Sequence, residues 1–439
     1  MIDVLLISPS FQGLTREPLG LYYLSEALEM NGISTSILDF KASLPSRSTF
    51  REYLRSQHPK VVGITSFTFN FSNAMQILQE VKRVVPDVVT VMGGVHASAL
   101  TKNILESTSS LDYIVMGEGE LTFLELCENL LSGLPVEDVK GLAYRKKETV
   151  LNPSRGFMND LDRLPIPKRD QLPGENYPIA SVQTSRGCPY GCIFCAINKF
   201  YENRIRLRDP VKVADECEYL INKCNREQIY FFGDAFTYKS SWVEELCDEI
   251  LRRRLKFHWA CETRVDKVDL SMLRKMKRAG CASVQYGIDY GDEEVLKRLG
   301  KAISLESVDD AVRWAKKADL FVEAFFIFNC PSENEDTMEN TFKLIQKTPI
   351  DAVEVNLLTP YPGTSLWDNM DKFRMRIVNH DFDYFTTKKY VMENLDFPRR
   401  KFVPAFRRLL KRMNLFSNPD YTPEIFNFMK KDIKLRAFA

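Results

Sequence analysis

The chain has 439 residues, too many for one ordinary domain, and about 150 residues per domain points to two or three. Its 60 Lys and Arg balance 59 Asp and Glu, so no global charge steers it to nucleic acid or to a membrane. Ten cysteines in so long a chain do not make a disulfide scaffold, and no stretch approaches the ~18 uncharged apolar residues of a spanning helix. The opening MIDVLLISPS carries Asp3 inside its apolar run and has no basic leader, so it reads as a buried strand rather than a signal peptide. A reducing, cytoplasmic setting is expected.

From residue 1 to about 150, strand-like and helix-like segments alternate, the pattern of a doubly wound parallel sheet. Strands are expected at Asp3–Ile7, Ser34–Leu38, Val61–Thr65, Val88–Met92 and Tyr113–Met116. Helices lie between them, such as Gly20–Met30, stopped by Asn31-Gly32, and Asn70–Val84, stopped by Pro86. Ligands of such a sheet sit beyond the carboxyl ends of the strands, so Ser8–Leu14, Asp39–Leu44, Ser66–Asn70, Gly93–Ala97 and Gly117–Glu120 are the segments to watch. Gly93-Gly94 and Gly117-Glu118-Gly119-Glu120 let backbone come close to a ligand, although tight turning alone also explains glycines at strand ends. Residues 139–150 read as a hairpin. Residues 151–178, with Pro153, Pro165, Pro167, Pro173 and Pro178, read as a proline-rich connecting segment lying across two domains.

The stretch Thr184–Ala196, TSRGCPYGCIFCA, follows a strand-like run at Ile179–Thr184 and presents Cys188, Cys192 and Cys195 as C-x3-C-x2-C. Gly187, Pro189 and Gly191 hold the backbone in a loop. Three thiolates cannot close a tetrahedral zinc site, and no fourth Cys or His stands close by; an iron-sulfur cube on three cysteines keeps one iron open for another molecule. With the aromatic Phe194 before the last cysteine, the pattern resembles the signature of the radical S-adenosylmethionine (SAM) enzymes. That resemblance implies a 4Fe-4S cluster whose open iron chelates SAM.

The series that begins there runs to about residue 370, with further strands expected at Gln228–Phe232, Phe257–Glu262, Ser283–Ile288, Phe321–Phe328 and Ala352–Leu357. Six strands imply an open, partial (βα)6 TIM-like barrel with its site at the carboxyl ends. Those ends resemble the family's segments. FFGDAFT matches a SAM-contacting segment at Gly233 and Asp234. ACETRVD offers Glu262 and Arg264, for which an ion pair at the barrel rim is the competing reading. SVQYGIDYG resembles the family's G-I-E-S-G with Asp289 at the acidic position. FFIFNCPSENEDT resembles its G-x-P-x-E turn with Asn329 and Cys330 where glycine-like residues are usual, and TPYPGTSLWD matches closely. The resemblance thus implies SAM contacts at Phe194, Gly233, Asp234, Glu262, Arg264 and Asp289.

A doubly wound sheet ahead of such a loop, with PLGLYYLSEAL, VVGITSF, VMGGVHAS and VMGEGE in order, resembles the cobalamin-dependent members of that family. The resemblance implies cobalamin at Ser66, Phe67, Gly93, Gly94, Val95, His96 and Gly117. The D-x-H-x-x-G motif of cobalamin mutases is absent, since Phe40 and Lys41 follow Asp39, so no histidine of that loop can ligate cobalt. His96 remains a candidate contact, although a lone loop histidine is more often hydrogen-bonded in place.

Of the other seven cysteines, Cys330 is the one expected at an active-site rim; the rest read as small buried hydrophobes. Residues 371–439 read as a helical extension. In it, Arg399–Met413 holds seven Lys or Arg and no acid, interleaved with Phe402, Phe406, Leu409, Leu410 and Met413. Such a helix packs on its own domain or lies on anionic lipid, a possible peripheral membrane contact.

The reading is therefore α/β: a Rossmann-like cobalamin-binding domain at 1–150, the connecting segment 151–178, a radical SAM partial barrel at 179–370 and a C-terminal extension at 371–439. The activity implied is C-methylation at an unactivated carbon through a 5′-deoxyadenosyl radical and methylcobalamin. A low-potential donor such as flavodoxin or ferredoxin would supply electrons, and a small molecule or lipid would be the substrate. Rivals are radical chemistry without methylation, such as cyclisation or oxidation, and a non-catalytic cluster protein. An RNA methylthiotransferase would need extra cysteines in the N-terminal domain, where only Cys127 stands.

Overall fold

The computed structural model describes residues 2–9, 16–40, 42, 45–172 and 174–413. It forms two compact units, Met1–Pro178 and Ile179–Ala439. Parts of the expected ligand segments Ser8–Leu14 and Asp39–Leu44, together with Pro173 and the end of the extension from 414 on, lie outside the described residues.

The first unit is built on β1 (Val4–Ser8), β2 (Thr35–Asp39), β3 (Val61–Thr65), β4 (Val89–Gly93), β5 (Tyr113–Val115), β6 (Leu142–Arg145) and β7 (Thr149–Leu151). They form one sheet in the order β2-β1-β3-β4-β5-β6-β7, parallel as far as β5. All five residues of β1 are buried, because helices cover both faces and leave no wet side to alternate toward. Two apolar cores result, one holding Leu5, Ile7, Val62 and Ile64, the other Val4, Leu6, Val61 and Val91. The helix Phe71–Val84 contributes Ala74, Ile77, Leu78 and Val81 to its core, the spacing of a single helix face. The hairpin expected at 139–150 is present, but it is not separate from the sheet. Its strands β6 and β7 extend the edge antiparallel, which covers the open backbone of the short strand β5.

Residues 151–178 fall within the first unit rather than forming a unit of their own. The Gln171 amide donates to Ser25 Oγ at 2.6 Å and to Glu29 Oε1 at 2.7 Å. The fully buried Tyr177 hydroxyl donates to Asp39 Oδ2 at 2.5 Å.

The second unit carries β8 (Ala180–Gln183), a small antiparallel ladder of β9 (Ser185–Arg186) with β10 (Arg206–Leu207), then β11 (Gln228–Phe232), β12 (His258–Thr263), β13 (Cys281–Asp289), β14 (Phe321–Phe328) and β15 (Ala352–Leu357). The main sheet is parallel throughout, in the order β15-β14-β13-β12-β11-β8, and open at its two ends. Strands β11, β14 and β15 fall on their expected bounds. Strand β13 runs longer than its apolar pattern because neighbours pair with it on both sides. Alternate residues, among them Phe231, Cys261, Val284, Tyr286 and Phe326, pack into the helix-facing core. On the other face Tyr230 OH donates to Gln285 Oε1 at 2.8 Å, and Gln285 Nε2 to Glu323 Oε2 at 2.6 Å.

After residue 371 the chain is not simply helical. An antiparallel pair, β16 (Met375–Ile377) with β17 (Met392–Asn394), precedes the helix Arg399–Met413. That helix buries Phe402, Ala405, Phe406, Leu409 and Leu410 in the barrel core, with Phe406 5.3 Å from the ring of Phe328. Arg408 pairs with Glu335 at 2.8 Å and Arg412 with Glu339 at 2.5 Å. Its apolar face is spent on its own unit, the packed one of the two expected arrangements. Among the described residues no helix is long and apolar enough to cross a membrane.

The turn after β14 solves the missing-glycine problem noted in the sequence. Asn329 and Ser332 adopt φ of 66° and 65°, and asparagine tolerates that conformation better than most residues. Glu333 closes the turn by accepting the Cys330 N–H at 2.7 Å. Cys330 is wholly buried, its thiol against the Ile327 carbonyl, and is not on a rim. Burial pushes the Glu333 carboxyl up to about 8, so the folded chain binds a proton there that the unfolded chain releases near the ordinary carboxylate value. Stability from this group is therefore complete at acid pH and falls as pH rises toward about 8. Urea midpoints of wild type and Glu333→Gln, compared between pH 5 and pH 8.5, are expected to diverge, the wild type losing more stability over that interval.

Candidate functional site

The cysteine loop leaves β9 and is fixed almost entirely through backbone. Gly187 sits at φ 88°, and a Cβ there would lie 2.1 Å from the Arg204 carbonyl oxygen. Its N–H donates to Asp234 Oδ2 at 2.8 Å. The Asn198 side-chain amide donates to the Tyr190 carbonyl at 3.0 Å and the Cys192 carbonyl at 2.9 Å. The Ile193 N–H reaches the Leu299 carbonyl at 2.9 Å, and the Leu366 N–H reaches the Ile193 carbonyl at 2.8 Å. Gly300, at φ 70°, lets the backbone after the helix Glu293–Arg298 press on the loop; a Cβ there would stand 2.5 Å from the Gly191 oxygen.

Cys188, Cys192 and Cys195 are half-buried. Burial raises all three thiols, Cys195 to about 12, while Lys301 and Arg264 pull Cys188 and Cys192 the other way. Such thiols hold their protons in water and surrender them to a metal. Among the described residues no three His, Cys, Asp or Glu side chains gather around a single-ion site. A cube assigns one iron to each thiolate, so its ligands surround a volume instead of meeting at a point, and a three-cysteine loop of this kind fits it.

The residues expected to contact SAM divide. Asp234 is tied to the loop through Gly187, and burial lifts its carboxyl to about 6. Gly233, just beyond β11, packs against the start of the loop; a Cβ there would lie 2.4 Å from Thr184 Oγ1. Glu262 is exposed at the end of β12, and Phe194 is half-buried against the core. Arg264 makes the ion pair of the competing reading, with Asp266 as its acid. Its guanidinium lies 3.7 Å from the centre of the Tyr190 ring, pairs with Asp266 at 2.8 Å and donates to the Ala302 carbonyl at 2.8 Å. It braces the cysteine loop. Asp289, at φ 71° beyond a shift of register in β13, meets Lys301 Nζ at 2.7 Å. Lys301 escaped the sequence reading. Its signal was the LGK end of the helix, where a glycine turn brings a lysine back toward the sheet.

In the first unit the sheet order changes direction between β1 and β3, and the segments after β3, β4 and β5 are bonded to one another, the Gly117 N–H to Ser98 Oγ at 3.0 Å. Ser66 is fully buried, its N–H on the Gly93 carbonyl at 2.9 Å. Gly94, at φ 101°, packs so closely that a Cβ would be 2.6 Å from the Ser66 oxygen. Above Gly93 and Gly117 the space is open: a Cβ would meet one atom, at 3.8 Å, at the first and nothing within 4 Å at the second. Phe67 is 42% exposed. Val95 begins the short helix Val95–Ala99. His96 follows the hydrogen-bonded reading, the more common one for a lone loop histidine, rather than that of a ligand. It is 1% exposed, its Nδ1 is 3.1 Å from Thr68 Oγ1, its ring lies 4.6 Å from that of Phe71, and burial lowers its pKa to about 4. This is a neutral packing residue. The open cradle of glycines beside an exposed aromatic fits a broad planar group.

The Radical SAM superfamily model matches residues 182–345, and the B12 binding domain model matches residues 13–127. An uncharacterized methyltransferase of Pyrococcus horikoshii is 32% identical over 362 residues, covering 81% of this chain and 79% of its own. The chain belongs to the cobalamin-binding radical SAM family. Another relative, an anaerobic magnesium-protoporphyrin IX monomethyl ester cyclase of Rubrivivax gelatinosus, is 30% identical over 368 residues, 80% of this chain and 66% of its own. Among solved structures, the radical SAM methyltransferase TsrM from Kitasatospora setae, with cobalamin and a 4Fe-4S cluster bound, superposes with a TM-score of 0.77 at 21% identity. That match spans 86% of this chain and 81% of TsrM and speaks to the radical SAM fold alone.

If backbone packing holds the loop, Gly187→Ala, whose Cβ has no room, is expected to lose most of its iron on anaerobic reconstitution. Gly191→Ala, where a Cβ meets nothing within 4 Å, is expected to keep the wild-type iron content, with circular dichroism confirming that both variants fold.

Proposed function

We propose that this chain is a cobalamin-dependent radical SAM methyltransferase acting at an unactivated carbon of a small-molecule substrate. The observation that carries the reading is the pairing, in one chain, of a backbone-held three-cysteine loop with glycine-lined strand ends on a B12-type sheet. Cys188, Cys192 and Cys195 would hold the 4Fe-4S cluster; Phe194, Gly233, Asp234, Glu262 and Asp289 would lie around SAM; Ser66, Phe67, Gly93, Gly94, Val95 and Gly117 would cradle cobalamin. When bound, these groups supply hydrogen abstraction and methyl delivery.

The chain's own residues do the placing. The Gly187 N–H and Asp234 fix the entry to the loop, and Asn198 and Leu299 fix its middle. Arg264 stacks on Tyr190 and keeps the loop from opening toward solvent. Orientation of this kind accounts for a large share of any barrier lowered by proximity. With His96 neutral and packed, cobalamin would be held without a histidine from the segment after β4. A flavodoxin- or ferredoxin-like donor would bring the electron. A second reading, ring closure or oxidation without methyl transfer, draws support from the similarity to the cyclase.

Two measurements separate these readings. Wild type carrying cobalamin and given methyl-labelled SAM under reductant is expected to place label in its corrinoid and to release 5′-deoxyadenosine. Alanine at Cys188, Cys192 or Cys195 is expected to abolish deoxyadenosine release. Deoxyadenosine without label in the corrinoid supports the second reading; full deoxyadenosine turnover in any cysteine variant removes both.

A further inference from the structure

Lysine is among the residues least often fully buried, and Lys301 is buried beside the cysteine loop. Its side chain is 9% exposed, and Nζ stands 2.7 Å from Asp289 Oδ2, itself on a side chain 7% exposed. Two glycines make the room. A Cβ on Gly287 would be 3.2 Å from Lys301 Nζ, and one on Gly300, the preceding residue, would be 3.5 Å from Cys192 Cα. Burial opposes the ammonium, but the Asp289 carboxylate outweighs it and holds the lysine pKa above its ordinary value, so the charge is permanent. The other cation that acts on Cys188 and Cys192, Arg264, is committed to Asp266 and the Tyr190 ring.

We propose that Lys301 is a positioning residue for the electron: the Lys301–Asp289 pair sets the reduction potential of the cluster held by Cys188, Cys192 and Cys195. The inference rests on the cluster reading above and adds to it the groups that tune the cluster. The step is a one-electron reduction in which the oxidised cube takes an electron from the donor, the donor is oxidised, and no bond forms or breaks. The cube gains one negative charge. A cation in a poorly screened site favours that charge, and a carboxylate at the same place disfavours it. The two side chains therefore act with opposite sign.

The test uses the full chain reconstituted anaerobically and titrated with dithionite in the absence of SAM, the reduced cluster being followed by electron paramagnetic resonance. Lys301→Met is expected to lower the ratio of reduced to oxidised cluster at a fixed potential at least tenfold, a midpoint shift of about 59 mV for one electron. Asp289→Asn is expected to shift the midpoint the other way, and Lys301→Arg to stay near wild type. If Lys301→Met does not retain iron, the sign of the Asp289→Asn shift decides. Midpoints at the wild-type value in both variants with full iron content, or shifts of the same sign, overturn the proposal and leave the cluster reading standing. Wild type that takes up no 4Fe-4S cluster overturns both.

Discussion

A loop that offers three thiolates to one cofactor cannot fold around its own side chains, because the atoms that would form its core are the ones it must present. The structure meets this constraint with backbone. Gly187 packs without a Cβ against the Arg204 carbonyl, Gly300 packs in the same way against Gly191, and Asn198 and Leu299 bond the loop's own amides and carbonyls. The ties come from three places in the second unit: Arg204 ahead of β10, the short helix that holds Asn198, and the end of the helix Glu293–Arg298. The geometry of the cysteines is thus a property of the whole sheet-and-helix unit rather than of the thirteen residues that contain them.

Electrostatics follow from the same burial. Half-buried thiols are pushed toward the protonated form, and the nearby cations are the groups that oppose this. Buried charges survive when paired and hydrogen-bonded, and both cations here are paired, Arg264 with Asp266 and Lys301 with Asp289. The first unit uses a carboxylate differently. Asp39, which no histidine follows at the next-but-one position, accepts the hydroxyl of the buried Tyr177 and so anchors the end of the proline-rich segment.

The chain after residue 371 shows how an apolar helical face is spent. Phe402, Phe406, Leu409 and Leu410 close the flank of the barrel core, and Arg408 and Arg412 meet acids of the helix Glu335–Lys347. The same unit is stitched to the turn after β14: the Asn329 side chain donates to the Met392 carbonyl and the Asn394 side chain to the Cys330 carbonyl, each at 2.7 Å. The hairpin of β16 and β17 therefore supports a turn whose positive φ angles would otherwise be costly.

The sequence by itself determined the order of strands and helices, because a buried parallel strand such as VLLI or AFFIF writes its apolar run without interruption, and it singled out the three-cysteine loop, because that spacing is local. Asn31-Gly32 and Pro86 ended helices by local chemistry as well. Tertiary structure decided what depends on residues distant in the chain. The hairpin of β6 and β7 joined the sheet because β5 left an edge, a fact absent from the hairpin's own residues. The sequence left His96 between a cofactor contact and a hydrogen-bonded loop residue, and only Phe71 and Thr68, meeting it in the fold, made it a packed neutral ring. For Arg264 the sequence offered a cofactor contact or an ion pair without naming the acid, and the fold supplied Asp266 and the Tyr190 ring; Lys301 was invisible until a glycine turn carried it to Asp289. A charge or a ring has no local period to announce its partner; only the packing of separate strands and helices brings the two within reach.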